Sequence, residues 1–481
     1  MKAVYWFRND LRIHDNEALV KASKAFELTC IYVIDEDWFK EGAFGFSRIG
    51  EHKYQFLKEG LEELQRKIKV LGSHLIIKVG NPVKEVTNLC QQVNATHLYY
   101  HKQMGFYESE EEKALKENLP HLTHKKYFGQ TLFHVNDIPY EWNKIPKVFT
   151  GFRKQVEKKA TVRTVFPTLE KLPSSPINDE SEVPSFNKIN QTNTDPELVP
   201  MAIGRSEEHN CGGLSFKGGE QAGLDRLQHY FGETEQLKTY KFTRNGLLGM
   251  DYSSKFSPWL AWGFLSPRTI YWEVQKFEKE VKKNVSTYWL IFELIWRDFF
   301  AFTVQMHGKK PFIKGGIKQI KADWEFHEDR FWKWANGETG VPFVDANMKE
   351  LNASGFMSNR GRQNVASFLA QDLNIDWRAG AAYFEHQLID YDVCSNWGNW
   401  NYVSGVGNDP RDRWFNVISQ AQRYDEKAEY IKTWLPQLQS LSPNHAIMPW
   451  TATSAELQFA DLSLGGNYPH PIVIKKQWKL D

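Results

Sequence analysis

The chain has 481 residues, and its 60 lysines and arginines nearly balance its 59 aspartates and glutamates, for a formal net charge of +1. This balance does not indicate a generally basic nucleic-acid binder, so any such surface would have to be a local patch. Hydrophobic residues make up 41% of the chain, and no apolar run approaches the roughly 18 residues of a membrane span, which is typical of a globular protein of two or three domains.

The residue types that hold metals or form disulfides show no usable pattern. The four cysteines are scattered along the chain: Cys30, Cys90, Cys211 and Cys394. They give neither a disulfide framework nor a CxxC zinc pattern, which favours a reducing, cytoplasmic setting. His97 and His101 are four residues apart in a strand-like run, where that spacing does not bring side chains together, so no metal site is predicted. The early strand at Val4 leaves no room for a signal or transit peptide in the chain as given.

Residues 1–135 are predicted to form a first domain, in which apolar strands alternate with helical periods. Strands are predicted at residues 3–7, 28–34, 74–79 and 96–100. Helices are predicted at residues 16–25, with Asp15 as N-cap, and at residues 44–70 and 82–92. This alternation indicates a parallel, Rossmann-like α/β sheet, whose ligands bind beyond the carboxyl ends of the strands. The glycine-rich signatures of NAD and phosphate-loop sites are missing.

A dense polar run follows the first strand. Its members are Arg8, Asn9, Asp10, Arg12, His14 and Asp15. The run fits either a loop that binds a ligand or a turn held by salt bridges.

Residues 136–215 are interpreted as a long interdomain connector. From residue 167 to residue 211 the chain is rich in Pro, Ser, Asn, Thr, Asp and Glu, with little periodicity. A basic amphipathic segment precedes this stretch and contains Arg153, Lys154, Lys158, Lys159 and Arg163. The segment is either a solvated helix face or a strip that contacts phosphates.

Residues 216–435 are predicted to form an all-α domain, followed by a short polar tail at residues 436–481. Helices are predicted at residues 221–230, 260–277, 287–304, 345–372 and 378–389. The third of these is apolar nearly all round and should be buried, yet it carries Glu293 and Arg297 on one face. Because buried charges need partners, Arg297 is a natural partner for Asp390 or Asp392.

Three segments of this domain carry chemistry that suits a polar ligand. Asn359, Arg362 and Gln363 share one helix face. The serine-rich segment at residues 252–257 precedes a helix, where free backbone N–H groups suit phosphate. Residues 376–402 combine two carboxylates, an amide and three tryptophans, and form either a polar turn after a helix or a site that faces a ligand or an arginine.

Two motifs carry a resemblance to a known family. WFRNDLRIHDN near the N-terminus and LIDYDVCSNWGNW at residues 388–400 resemble the photolyase/cryptochrome flavoproteins, most closely the cryptochrome-DASH group. The resemblance runs from Val4 to about Leu435. It implies an N-terminal α/β antenna-type domain and a C-terminal helical domain that binds a U-shaped FAD. Glu108 falls where folate-binding members carry an antenna-contacting glutamate, which allows for 5,10-methenyltetrahydrofolate as antenna.

The resemblance also implies roles for individual residues. Positions that match cofactor-binding residues are Tyr240, Ser253, Ser254, Lys255, Phe256, Ser257, Glu293, Arg297, Asn359, Arg362, Asp390, Asp392 and Asn396. Asn396 matches the residue facing flavin N5, where an asparagine favours the reduced flavin. Positions that match lesion-contacting residues are Trp296, Asn359, Gln363 and Tyr402. The electron-hopping chain of the family is matched by Trp400, Trp377 and Trp324, from the flavin outward.

The function implied is repair of cyclobutane pyrimidine dimers in DNA by an electron from photoexcited reduced FAD, with Glu293 stabilising the dimer radical anion. Tyr402 and Gln363 indicate the DASH type, which tends to prefer single-stranded DNA, and a monomer is expected. The main alternative is a blue-light photoreceptor without repair activity, although signalling members usually carry a long C-terminal extension. An FAD-dependent oxidoreductase of the Rossmann type is disfavoured by the missing glycine-rich fingerprint.

Overall fold

The structure is a computed structural model that describes residues 1–178, 181–190, 215–321, 323–411 and 413–479. Five parallel strands form one sheet in the order β3-β2-β1-β4-β5. The strands are β1 (Lys2–Trp6), β2 (Glu27–Asp35), β3 (Leu75–Gly80), β4 (His97–His101) and β5 (Thr123–Tyr127). The first four helices of the chain alternate with them: α1 (Glu17–Ala22), α2 (Glu51–Val70), α3 (Pro82–Gln92) and α4 (Phe106–Asn118). The predicted parallel α/β domain is confirmed.

The central strands are buried on both faces because helices cover them, which explains their continuous apolar sequence. Strand β5 was not predicted. Its sequence, THKKY, is polar and largely exposed at the sheet edge, so it lacks an apolar signal. The prediction of a helix from residue 44 was also wrong, because α2 begins at Glu51 after Gly50.

The polar run after β1 is a buried turn held by ion pairs and hydrogen bonds. Arg8 donates to Glu112 at 2.8 Å, and Tyr5 donates to Asp10 at 2.5 Å. Asp15 is not the N-cap of α1, since Asn16 accepts from the Leu19 amide in that place. Of the two interpretations of this segment, a turn held by salt bridges is therefore the one that agrees with the structure.

Asp15 instead joins the two domains. Its Oδ1 accepts from Arg268 at 2.7 Å and from the Phe166 amide at 2.9 Å, and its Oδ2 accepts from Ser266 at 2.5 Å. The side chains of Asp15 and Arg268 are both almost fully buried. A buried ion pair is a poor source of net stability, but the loss of one partner leaves an uncompensated charge.

We therefore expect Asp15→Asn to lower the free energy of unfolding by about 3–5 kcal/mol, because it leaves the buried Arg268 without its counter-charge. Urea or thermal unfolding measures the loss. Asp37→Asn is the matched control, since the Asp37–Lys40 pair is exposed and screened by water, so its loss should change the stability little. Equal effects of the two substitutions would contradict this role of Asp15.

After the sheet domain the described chain is helical, apart from isolated bridges. Helices α5 (Phe149–Lys159) and α6 (Phe186–Asn190) lie in the predicted connector, whose residues 179–180 and 191–214, including Cys211, are outside the described residues. The helices that follow are α7 (Glu220–Gln228), α8 (Tyr240–Thr243), α9 (Ser257–Ala261), α10 (Pro267–Glu280), α11 (Val285–His307), α12 (Glu328–Ala335), α13 (Pro342–Ser354) and α14 (Asn359–Ser367). The last six are α15 (Trp377–Gln387), α16 (Val393–Val403), α17 (Val417–Tyr424), α18 (Glu429–Trp434), α19 (Pro443–Ile447) and α20 (Ser454–Phe459).

The helix predicted at residues 345–372 is two helices, because α13 ends at Gly355 in the left-handed conformation with φ 67°. Helix α14 begins four residues after this break, with Ser358 as its N-cap. The predicted helix at residues 260–277 is likewise divided, at the loop between α9 and α10.

No helix among the described residues is long and apolar enough to cross a membrane. The described part of the chain also holds no group of three or more His, Cys, Asp or Glu side chains that could bind a metal ion.

Candidate functional site

A cavity of about 450 Å³ lies inside the helical domain, within the size range of small-molecule sites. It is lined by parts of α8, α9, α11, α14, α15 and α16 and by the loops that precede α9 and α16. The cavity gathers most of the residues singled out in the sequence: Tyr240, Ser253, Ser254, Lys255, Phe256, Ser257, Glu293, Trp296, Arg297, Asn359, Arg362, Gln363, Asp390, Asp392, Asn396, Trp400 and Tyr402. Trp324, Trp377 and Glu108 do not line it.

Two arginine–aspartate pairs hold the wall formed by residues 390–392. Arg297 lies 3.5 Å from the Asp392 carboxylate, as the sequence predicted for one of the two aspartates. Arg362 donates to Asp390 Oδ2 at 2.8 Å. Asp392 also caps α16, because its Oδ1 accepts from the Ser395 amide at 2.7 Å. Asp390 Oδ1 is buried and has no hydrogen-bond partner, so it can accept from a ligand.

Glu293 shares a face of α11 with Arg297 but has a different partner. It forms an ion pair with Arg244, from the segment just after α8. Burial raises the pKa of Glu293, and the nearby Arg244 guanidinium opposes this rise. The carboxyl group therefore lies on the cavity wall in an environment that disfavours its charged form.

The serine-rich segment carries a buried lysine. Lys255 has a left-handed backbone, with φ 51°, and its Nζ lies 3.6 Å from the centre of the Tyr252 ring. This ammonium is buried and has no hydrogen-bond partner. Burial lowers the pKa of Lys255 to about 7, and the carboxylate of Glu350 partly opposes the shift. An unpaired cation on a cavity wall suits an anionic group of a ligand.

The opposite part of the cavity is aromatic. Trp296 and Tyr402 face each other edge to face, with ring centres 6.2 Å apart. Phe149, the first residue of α5, stacks on Trp296 with ring centres 3.6 Å apart and an angle of 9°. Because Phe149 does not line the cavity, it supports the Trp296 ring from behind.

The amide side chains predicted for the site lie on two helices. Asn359 begins α14, and Gln363 accepts from Arg360 at 2.9 Å. Asn396 on α16 donates to the Ala381 carbonyl at 3.0 Å, which fixes the orientation of its amide and leaves its oxygen for other partners.

The three tryptophans of the predicted electron chain differ in surroundings. Trp400 lines the cavity, and its ring neighbours are Phe384 at 5.2 Å and Trp334 at 6.4 Å. Trp377 is fully buried and packs against Trp397 at 5.7 Å. Trp324 is 9% exposed and donates to the Ala370 carbonyl. The order of electron transfer through these tryptophans stays a prediction.

Glu108 lies in the first turn of α4 and is half-buried rather than exposed. Its Oε2 has no hydrogen-bond partner, and burial raises its pKa. A second cavity, of about 630 Å³, lies at the carboxyl ends of β4 and β5, but Glu108 does not line it.

Sequence reasoning missed several lining residues, among them Arg244, Phe292, Phe356 and Arg413. Arg244 follows Tyr240 by four residues, a helical spacing that could have placed both on one face. Arg413 follows a stretch without periodicity, so the sequence carries no signal for it.

Comparison with known families defines the class of protein. The family model of DNA photolyase matches residues 3–174, and the model of the FAD binding domain of DNA photolyase matches residues 289–479. The two matches cover the sheet domain and most of the helical domain that contains the cavity.

Curated relatives show which group of this family the chain resembles. The cryptochrome DASH of Synechocystis sp. is 45% identical over 97% of this chain and 94% of its own length. That of Xenopus laevis is 43% identical over 98% of this chain and 89% of its own length. This chain belongs to the photolyase/cryptochrome family and is of the cryptochrome-DASH type.

Solved structures agree with this assignment. A Synechocystis sp. cryptochrome has a TM-score of 0.91 at 44% identity, over 98% of this chain and 96% of its own. A bacterial class III photolyase from Agrobacterium tumefaciens has a TM-score of 0.84 at 26% identity, over 98% and 94%. The helical domain is thus an FAD-binding domain, as the sequence predicted. The unpaired Lys255 Nζ and Asp390 Oδ1 supply one cation and one acceptor, which fit the phosphates and a hydroxyl or N–H group of a dinucleotide.

Proposed function

We propose that this protein repairs cyclobutane pyrimidine dimers, preferentially in single-stranded DNA, under blue light. The observation that carries the proposal is that one cavity joins the polar wall suited to FAD with the aromatic wall of Trp296 and Tyr402. The two planar side chains suit the bases of a dimer, since a base stacked on an aromatic ring gains roughly 1–3 kcal/mol. A damaged base pair also costs less to unstack, which favours entry of the lesion.

The residues that line the cavity would have different roles in binding FAD and the dimer. Lys255 and the serines beside it hold the phosphates, while Arg362 fixes the orientation of Asp390. FAD, when bound and reduced, supplies the light-excited electron that splits the dimer. Glu293 contacts the dimer and, in its protonated form, which burial favours, donates a hydrogen bond that stabilises the developing negative charge. Asn396 presents its fixed amide to the flavin ring.

Four further assignments stay predictions. Trp400, Trp377 and Trp324 relay electrons from the surface to the cavity, and Glu108 contacts a folate antenna. The protein acts as a monomer in the cytoplasm, although plant relatives bear the name cryptochrome DASH, chloroplastic/mitochondrial.

The proposal is tested by illuminating the flavin-loaded, chemically reduced protein with blue light in the presence of a thymine-dimer oligonucleotide. Thymines should be restored in the light and not in the dark. A bound, photoreducible flavin that restores no thymine would overturn the proposal and favour the photoreceptor alternative.

The pH dependence of FAD binding tests the assignment of Lys255. Below pH 7 its side chain is protonated and attracts phosphates, whereas above pH 7 the free protein must take up a proton to bind them. The affinity for FAD should therefore fall by up to about tenfold per pH unit between pH 7 and pH 9. Flavin fluorescence titrations of the apoprotein measure this fall.

Lys255→Met should weaken binding at pH 6 and remove the pH dependence. Burial also raises the pKa of Glu350 to about 7, so Glu350→Gln separates the contribution of that carboxyl. An unchanged slope in Lys255→Met would exclude Lys255 as the phosphate ligand.

A further inference from the structure

Helix α11 carries a row of aromatic side chains that extends beyond the cavity. Trp289, Phe292 and Trp296 follow at intervals of three and four residues, so they share one face of the helix. All three are half-buried. The rings of Trp289 and Phe292 are stacked, with centres 4.7 Å apart and an angle of 24°. We call these three side chains the aromatic strip.

The strip continues the cavity outward. Phe292 and Trp296 line the cavity, whereas Trp289, one turn nearer the N-terminus of α11, does not. The seven helical steps from Trp289 to Trp296 span about 10 Å at 1.5 Å per residue. That length matches about three bases stacked at 3.4 Å.

Cations lie over two rings of the strip. Lys241 Nζ lies 4.6 Å from the centre of the Trp289 ring, and the Arg153 guanidinium lies 5.5 Å from that of Phe292. Arg153 is positioned by the Tyr288 hydroxyl, to which it donates at 2.6 Å. Arg153 belongs to the basic segment that the sequence interpreted as either a solvated face or a phosphate-contacting strip.

Aromatic rings interleaved with cations are the arrangement that binds single-stranded nucleic acid, because the bases stack on the rings and the phosphates meet the cations. We propose that the aromatic strip binds the unpaired bases next to a lesion in single-stranded DNA. This inference rests on the proposed function for the position of the lesion. In a duplex the flanking bases stay stacked with their partners and do not reach the strip, so the strip itself favours single strands.

The test uses the flavin-loaded protein and an oligonucleotide with 2-aminopurine placed one nucleotide from a thymine dimer. Stacking on Trp289 or Phe292 should quench the fluorescence of 2-aminopurine in the wild-type complex. Trp289→Leu should restore much of this fluorescence and weaken binding of the oligonucleotide by about tenfold. It should leave unchanged the affinity for a bare thymine-dimer dinucleotide, which has no flanking bases.

Two further variants keep the test independent of folding. Lys241→Gln changes only a half-buried cation, and it should lower the slope of log affinity against log salt by about one. Trp272→Leu on α10 is the control, since this tryptophan is 37% exposed and lies outside the strip and the cavity, and it should change none of the readouts.

The outcomes separate this inference from the proposed function. Equal weakening of the oligonucleotide and the bare dinucleotide by Trp289→Leu, or no loss of quenching, would overturn the inference while repair stands. Quenching by the wild-type protein that is lost in Trp289→Leu, without any repair under light, would support the strip and contradict the repair function.

Discussion

Replacement of Glu293 by alanine is expected to slow light-driven dimer repair by about 10²-fold, the loss typical of one preorganised donor at a developing negative charge. Glu293 lines the cavity beside Trp296, and burial raises the pKa of its carboxyl group. In its protonated form, which burial favours, this carboxyl can donate a hydrogen bond to the dimer as negative charge develops. The rate of thymine restoration under single-turnover conditions measures the loss.

Two matched variants show whether this effect arises from the missing donor. Glu293→Gln keeps a donor of the same length and should retain most of the activity. Arg244→Gln removes the partner of Glu293 and leaves the carboxyl in place, so its effect should be smaller than that of Glu293→Ala. Flavin content is measured in each variant. Repair by Glu293→Ala at the wild-type rate, with flavin bound, would exclude this role.

Trp377→Phe is expected to slow photoreduction of the flavin in the presence of a thiol by at least about tenfold, equivalent to ~1.4 kcal/mol in the barrier. Phenylalanine is much harder to oxidise than tryptophan, and Trp377 is fully buried, where it packs against Trp397. Absorbance spectra recorded during illumination follow the reaction. Repair by chemically reduced Trp377→Phe should be unchanged, because the relay is then not needed.

Trp334→Phe is the control for the predicted electron transfer through Trp377. The Trp334 ring lies 6.4 Å from that of Trp400, so the structure offers it as a competing neighbour. Trp334→Phe should photoreduce like the parent protein. If Trp334→Phe loses photoreduction and Trp377→Phe keeps it, the predicted order of tryptophans is wrong.

The alternation of apolar strands with helical periods was enough to predict the parallel sheet, because both faces of its central strands are buried. Strand β5 was not predicted because a strand at an exposed sheet edge needs no apolar side chains. The break at Gly355 was not predicted because a left-handed glycine can end a helix without interrupting the apolar period on either side.

Most residues predicted for the candidate site line the cavity, and Arg297 pairs with Asp392 as expected, but the partner of Glu293 was not predicted. Spacing placed Asn359, Arg362 and Gln363 on one face, and the cavity contains all three. Spacing also placed Glu293 and Arg297 on one face of α11, but it named no partner for Glu293. The structure pairs Glu293 with Arg244, because a segment distant in sequence brings its guanidinium closer. Such long-range choices depend on how helices pack, which a local pattern does not encode.

The most direct test of the account compares repair of thymine dimers in single-stranded and double-stranded oligonucleotides by the reduced, flavin-loaded protein under blue light, with a dark control. The account predicts light-dependent repair that is clearly faster on the single strand. Absence of repair on both substrates, with flavin bound and photoreducible, or faster repair of the duplex, would contradict it.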